Sequence, residues 1–170
     1  MNRMNNIVLV GMPASGKSTV GIILAKVLGM DFIDCDLVIQ KTTGKLLAEL
    51  IAEDGAEGFI RTENSILSTI KASDSVIATG GSAIYGAEAM ENLRRGSQVV
   101  YLRVSFDALN ARLKDIRQRG VVMKPGQTLR DIYEERTALY EKYADIRVDG
   151  TGKGIEEVVQ EVADRIRRTA

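Results

Sequence analysis

Residues 7–19 read Ile-Val-Leu-Val-Gly-Met-Pro-Ala-Ser-Gly-Lys-Ser-Thr. A short β-branched apolar run ends at Val10, Gly11-x-x-x-x-Gly16-Lys17-Ser18 follows, and a helical pattern begins at once. Strand, glycine-bounded loop and helix in that order form the phosphate-binding P-loop. Gly11 and Gly16 allow backbone conformations that a Cβ would oppose. Amides from Gly11, Ala14, Ser15, Gly16, Lys17, Ser18 and Thr19 can then turn inward onto phosphate oxygens, helped by the positive end of the helix. Lys17 is placed to reach the β- and γ-phosphates, and the Ser18 hydroxyl to bind Mg²⁺. The loop therefore predicts a nucleoside triphosphate, with ATP and Mg²⁺ as the expected cofactors. It does not say what receives the phosphate.

Composition narrows the remaining choices. The chain has 170 residues, enough for one domain spanning 1–170 with a sizeable core. Its 23 basic and 23 acidic side chains cancel. With no basic field, nucleic acid and anionic membrane are not expected partners. The single cysteine, Cys35, excludes an intrachain disulfide and a cysteine-cluster metal site, and suits a cytoplasmic location. The first residues lead straight into a strand, so no signal peptide is expected. No apolar run approaches the roughly 20 residues that span a bilayer. Histidine is absent. A general base must then be a carboxylate, and a metal must take oxygen ligands. A monomer acting on a small molecule is the expectation.

Strand patterns at 6–10, 31–34, 75–79, 98–103 and 146–149 alternate with helical ones, as in a parallel α/β sheet. The first helix carries Val20, Ile23, Leu24, Val27 and Leu28 on one apolar face and stops at Gly29. The second strand leads into Asp34-Cys35-Asp36, at the carboxyl end where open α/β sheets bind ligands. An extended run points both carboxylates the same way. One could then hold Mg²⁺ and the other accept the proton of an attacking hydroxyl. Equally, Asp36 could simply cap a helix starting at Leu37. Helical segments are expected at 37–43, 46–53 and about 57–71. In the last, Phe59, Glu63, Ile66, Leu67 and Ile70 share helical spacing, with Phe59 read as core. Gly80-Gly81 closes the third strand, either as backbone approaching a ligand or as a sharp turn.

Ser105 caps a helix carrying Leu109, Leu113 and Ile116. Residues 114–127 are the least core-like part of the chain. Arg112, Lys114, Arg117, Arg119 and Lys124 face only Asp115. Beside a P-loop such a segment reads as a lid over phosphates, the alternative being a solvated loop. Thr128 and Asp131 restart a helix with a capping box, which continues through Tyr133, Arg136, Leu139 and Tyr140. Ile155, Val158, Val159, Val162 and Ile166 form a closing structural helix.

Together these pieces resemble the shikimate kinase family. The carriers are the loop at 11–18, Phe32-x-Asp34-x-Asp36, Gly55-x-x-x-Phe59-x-x-x-Glu63, Gly80-Gly81, Val100-Tyr101-Leu102, the basic segment, and Arg136-x-x-Leu139-Tyr140 leading to Ala144-Asp145. The resemblance covers nearly the whole chain. It implies a P-loop NTPase three-layer sandwich, with a five-stranded parallel sheet in the order 2-3-1-4-5, flanking helices, acceptor-binding helices at about 36–72 and a lid. It implies phosphorylation of the 3-hydroxyl of shikimate by MgATP. Asp34 then falls at the Mg²⁺ shell, and Asp36 at the carboxylate that binds acceptor hydroxyls. Lys17, Asp36 and Arg119 are the implied catalytic set, with Arg119 meeting the transferring phosphate. Arg112 would pack on adenine. Arg136 would hold the acceptor carboxylate, over the backbone of Gly80 and Gly81.

The chain departs from the family pattern in four places. Its Phe-Arg-x-x-Glu reads Phe59-Ile60-Arg61-Thr62-Glu63 here, so Ile60 stands where a second arginine would clamp the carboxylate. Arg61 sits about 100° further around the helix. Ser82 replaces a third glycine, Arg119-Gly120-Val121-Val122 replaces Arg-Pro-Leu-Leu, and Ala138 replaces proline. Losing a bidentate charge-assisted bond from a desolvated site costs roughly 2–4 kcal/mol, or about thirty- to a thousandfold in affinity. The alternatives are an acceptor without a carboxylate, such as a polyol, or a nucleotide-binding module without transfer activity.

Overall fold

The computed structural model describes residues 5–114 and 121–170. Arg117 and Arg119, and Ile116 of the expected helical face, lie outside the described residues. Five strands, β1 (Asn6–Val10), β2 (Asp31–Asp34), β3 (Ser75–Ala78), β4 (Ser97–Arg103) and β5 (Ile146–Asp149), form one parallel sheet ordered β2-β3-β1-β4-β5. The helices are α1 (Lys17–Leu28), α2 (Cys35–Thr43), α3 (Leu47–Leu67), α4 (Ala87–Arg94), α5 (Phe106–Arg112), α6 (Leu129–Tyr143) and α7 (Ile155–Thr169). This is the P-loop three-layer arrangement that the resemblance implied. Among the described residues, no helix is long and apolar enough to cross a membrane.

Strand alternation divides the core in two. Ile7 and Leu9 of β1 point to the face covered by α1 and α7, where they meet Val20, Leu24, Val158 and Val162. Val8 and Val10 point to the other face and meet Ile39, Phe59, Ile77, Tyr101 and Tyr140. Phe59 is core, as its spacing suggested.

The elements differ from the sequence expectations in a few places, each with a local cause. The buried stripe of α1 is Val20, Gly21, Leu24 and Ala25, while Val27 is half exposed. A methyl on Gly21 would lie 2.7 Å from the Phe32 ring, so α1 rests on the sheet through Val20, Leu24 and the small residues Gly21 and Ala25, with Val27 turned away. The break expected between 53 and 57 narrows to one residue, Gly55, whose φ of 71° interrupts an otherwise continuous α3. That helix also ends at Leu67 rather than Lys71. Residues 83–94, in which no element was expected, form a single 3-10 turn (Ala83–Tyr85) followed by α4. Asn64 holds the start of α4, its Oδ1 accepting from the Ala89 amide at 2.9 Å. Ser105 and the Thr128–Asp131 capping box act as expected.

Candidate active site

The P-loop leaves β1 at the carboxyl end of the sheet and enters α1 through Gly16, at φ 93°. Gly11 is required by crowding, since a Cβ there would sit 2.7 Å from the Leu102 carbonyl. Ala14 holds a positive φ of 63° without being glycine, a strained conformation of the kind found at ligand-binding turns. The buried Lys17 ammonium lies along the inside of the loop. It donates to the carbonyls of Gly11 and Met12, both at 2.7 Å, and to Ser15 Oγ at 3.3 Å. Burial lowers its pKa to about 8, with Arg136 adding to the fall and the carboxylates of Asp36 and Asp34 opposing it.

The two aspartates share the site in a way that spacing left open. Asp34, not Asp36, caps α2: its Oδ1 accepts from the amides of Asp36 at 2.9 Å and Leu37 at 3.4 Å. Its Oδ2 faces the Ser18 hydroxyl at 3.5 Å. Helix α2 therefore begins at Cys35, and Asp36 is left in its first turn with no capping duty. Asp36 looks into a cleft of about 320 Å³, whose walls include Lys17, Ser18, Glu63, Gly80, Ser82 and Arg136. Burial raises the Asp36 pKa, Asp34 raises it further and Lys17 opposes.

The far end of the cleft is built over the Gly80-Gly81 backbone. A methyl on Gly80 would meet Asp36 Oδ1 at 2.8 Å and Glu63 Oε2 at 3.1 Å. One on Gly81 would meet Pro13 Cδ at 2.6 Å and Arg136 Nη1 at 3.0 Å. Both glycines are thus needed for close approach of side chains to the cleft floor. The Tyr140 hydroxyl fixes that floor by donating to the Gly81 carbonyl at 2.5 Å. Arg136 on α6 is fully buried. Its Nη2 donates to the Val122 carbonyl at 2.6 Å and its Nε to the Tyr85 hydroxyl at 3.4 Å. Its Nη1 has no partner among the described residues.

Ile60 does not line this cleft. It is half buried, beside a neighbouring cavity of about 290 Å³ that also borders Arg61, Tyr85 and Lys124 and shares Val122 and Arg136 with the cleft. Ser82 does line the cleft, and its hydroxyl donates to Glu63 Oε1 at 2.6 Å. Arg112 reaches back to the loop, donating to the Ala14 carbonyl at 3.0 Å. Lys124 lies 3.9 Å from Glu57. Thr19 also lines the cleft. Sequence reading used Glu63 only to fix the helical register. A carboxylate inside the apolar stripe of Phe59, Ile66 and Leu67 was the signal that it faces something polar. Tyr85 gave no such signal, because it reaches the site from a segment without a motif, and Val122 stood out only as a departure from the family pattern in the basic segment.

The shikimate kinase family pattern matches residues 13–167. The chain is 39% identical over 168 residues to a shikimate kinase of Pseudomonas paraeruginosa, covering 97% of this chain and 98% of that one. Among solved structures it resembles a shikimate kinase from Acinetobacter baumannii in complex with shikimate. There the TM-score is 0.86 and the identity 30%, over 97% of this chain and 94% of that one. It also resembles a shikimate kinase from Aquifex aeolicus, with a TM-score of 0.80 and 32% identity over 95% and 96% of the two chains.

Proposed function

The chain belongs to the shikimate kinase family and is an ATP-dependent small-molecule kinase, and on that premise we propose that its acceptor is shikimate, phosphorylated on the 3-hydroxyl. The observation that carries the acceptor reading is the Nη1 of a fully buried Arg136, without a partner among the described residues, which borders the same cleft as Lys17 and Asp36. A buried guanidinium nitrogen without a partner is costly. A carboxylate on the acceptor would complete it.

The roles follow from position. The loop amides and Lys17 hold the β- and γ-phosphates, and Lys17 turns from the loop carbonyls towards the charge that develops on the transferring group. Asp36 orients the acceptor hydroxyl and takes its proton as the oxygen–phosphorus bond forms and the bond from Pγ to the β-phosphate oxygen breaks, leaving ADP. The raised Asp36 pKa suits a base that must receive a proton. Gly80 and Gly81 let the acceptor lie against the backbone. Arg112 borders the loop from outside, near the nucleotide. By the family resemblance, Arg119 is assigned to the transferring phosphate, within the proposed lid at 114–127.

The donor set fits Mg²⁺. Ser18 Oγ and Asp34 Oδ2, the oxygen not engaged in the helix cap, are hard oxygens facing one another. Among the described residues no group of three or more His, Cys, Asp or Glu gathers, so the ion would rest on Ser18, Asp34, phosphate oxygens and water. Bound there, it would supply charge neutralisation at the phosphates. The roles assigned here draw on residues of a single chain, and a monomer is the proposed state.

A coupled ADP-release assay tests the acceptor. Turnover with shikimate, at a rate at least tenfold above that with inositol and other neutral polyols, is expected. One observation favours the other reading: position 60 brings no second cation to Arg136. Preference for a neutral polyol over shikimate would establish that reading instead. ATP binding without transfer to any acceptor would mark a nucleotide-binding module.

A further inference from the structure

Two buried polar atoms in the cleft lack partners among the described residues, and only one of them has a role above. The second is Glu63 Oε2. Glu63 is 1% exposed, on α3, in the core-facing stripe. Its Oε1 is held by the Ser82 hydroxyl, also buried, at 2.6 Å. That bond fixes the rotation of the carboxyl group and turns Oε2 towards the point over Gly80 that Asp36 Oδ1 also faces, 3.1 Å and 2.8 Å from a methyl built there. Two carboxylate oxygens on one point of the cleft floor repel each other unless a donor lies between or beside them. Burial, with Asp36 adding to it, pushes the Glu63 carboxyl up to about 7, against the opposing effects of Ser82 and Arg136.

We propose that Glu63 is a specificity-determining acceptor contact in this chain, its Oε2 accepting a hydrogen bond from a hydroxyl next to the one Asp36 receives, with Ser82 as the residue that positions it. The class of acceptor this selects is a vicinal diol or triol. The proposal rests on the assigned function and deepens it. It also joins the two departures at 60 and 82. An arginine at position 60, one helical turn before Glu63, would lie within reach of the Glu63 carboxylate. Ile60 brings no charge, and the Ser82 hydroxyl supplies the donor that keeps the carboxylate in place. Glycine at 82 could not.

The test is a kinetic cycle in which both the residue and the acceptor are altered. Glu63→Gln keeps the shape and the Ser82 contact but can place an N–H where Oε2 stood. It is expected to raise KM for shikimate roughly ten- to a hundredfold, with kcat changed less than about threefold. Ser82→Ala is expected to raise KM about three- to tenfold. With the analogue lacking the 4-hydroxyl, the one next to the 3-hydroxyl, wild type and Glu63→Gln should show the same KM within about twofold, because the contact is already gone, whereas the analogue lacking the 5-hydroxyl should keep the penalty. An equal Glu63→Gln penalty on shikimate and both analogues, or no penalty at all, overturns the proposal and leaves the kinase assignment standing. A wild-type enzyme that does not phosphorylate shikimate overturns both. If Ser82→Ala fails to fold, the Glu63→Gln cycle alone decides the contact.

Discussion

At the donor end of the cleft each ammonium proton of Lys17 has an acceptor within the loop, and Asp34 divides its two oxygens between a helix cap and Ser18. At the acceptor end Glu63 Oε2 and Arg136 Nη1 are buried with no partner among the described residues. The P-loop is therefore self-supporting: its groups satisfy one another until phosphates displace them. The acceptor end keeps one anion-seeking and one donor-seeking atom in place, held by Val122, Tyr85 and Ser82. A site with its polar groups already unpaired rejects any ligand that cannot pair them, so selectivity belongs to the acceptor end.

The sharpest way to break this contrast is at Lys17. Lys17→Met should lower kcat/KM by roughly a hundred- to a thousandfold, since the charge facing the transferring group is lost. A loss under tenfold in the coupled assay would mean that the loop amides carry the donor end alone. Next comes Arg136→Met, expected to raise KM for shikimate about thirty- to a thousandfold while KM for ATP moves less than about threefold. Comparable changes in both constants would show that the two ends are not separate.

Glu63 sharpens the contrast through pH. Its carboxyl is raised in the fold from the ordinary 4.5 to about 7, mainly by burial. Below about pH 4.5 it is protonated folded or unfolded and contributes no difference. As pH rises to about 7 the unfolded chain ionises first, so stability falls, by an amount on the order of 3 kcal/mol, and then levels off. Urea titrations at pH 5 and pH 8 should show wild type losing more stability than Glu63→Gln over this window. Parallel losses would place the burial penalty elsewhere. The smallest effect is expected at the neighbouring cavity. Ile60→Arg should lower KM for shikimate about three- to tenfold by adding a second cation near Arg136. A raised KM would show that the acceptor uses the apolar wall Ile60 provides.

Much of the donor end was legible because its chemistry is local. Gly11 to Ser18 is one uninterrupted segment, and each residue's role follows from its place in the loop. The strands were legible from their apolar runs, although the order of the sheet came with the resemblance rather than with periodicity. The acceptor end draws on α2, α3, the turn after β3, residues 121–122 and α6, which meet only once the chain has folded. Spacing therefore placed Asp34 and Asp36 together but could not say which would cap α2. It located the exchange at Ile60 but not that Ile60 borders the adjoining cavity rather than the cleft. It gave no sign that Ser82 would meet Glu63, nineteen residues away on another element. Helix α4 went unread because its anchor, Asn64, lies a full element upstream.

Arg136 holds the Val122 carbonyl with one arm while another borders the cleft. Residue 122 lies within the basic segment at 114–127, so one guanidinium touches both the acceptor end and the C-terminal stem of the proposed lid. The two are then thermodynamically linked. Any free energy by which a bound carboxylate steadies that guanidinium is returned to the stem, and whatever fixes the stem tightens the carboxylate by the same factor. Acceptor recognition and closure over the nucleotide would in this way be two readings of a single side chain's position.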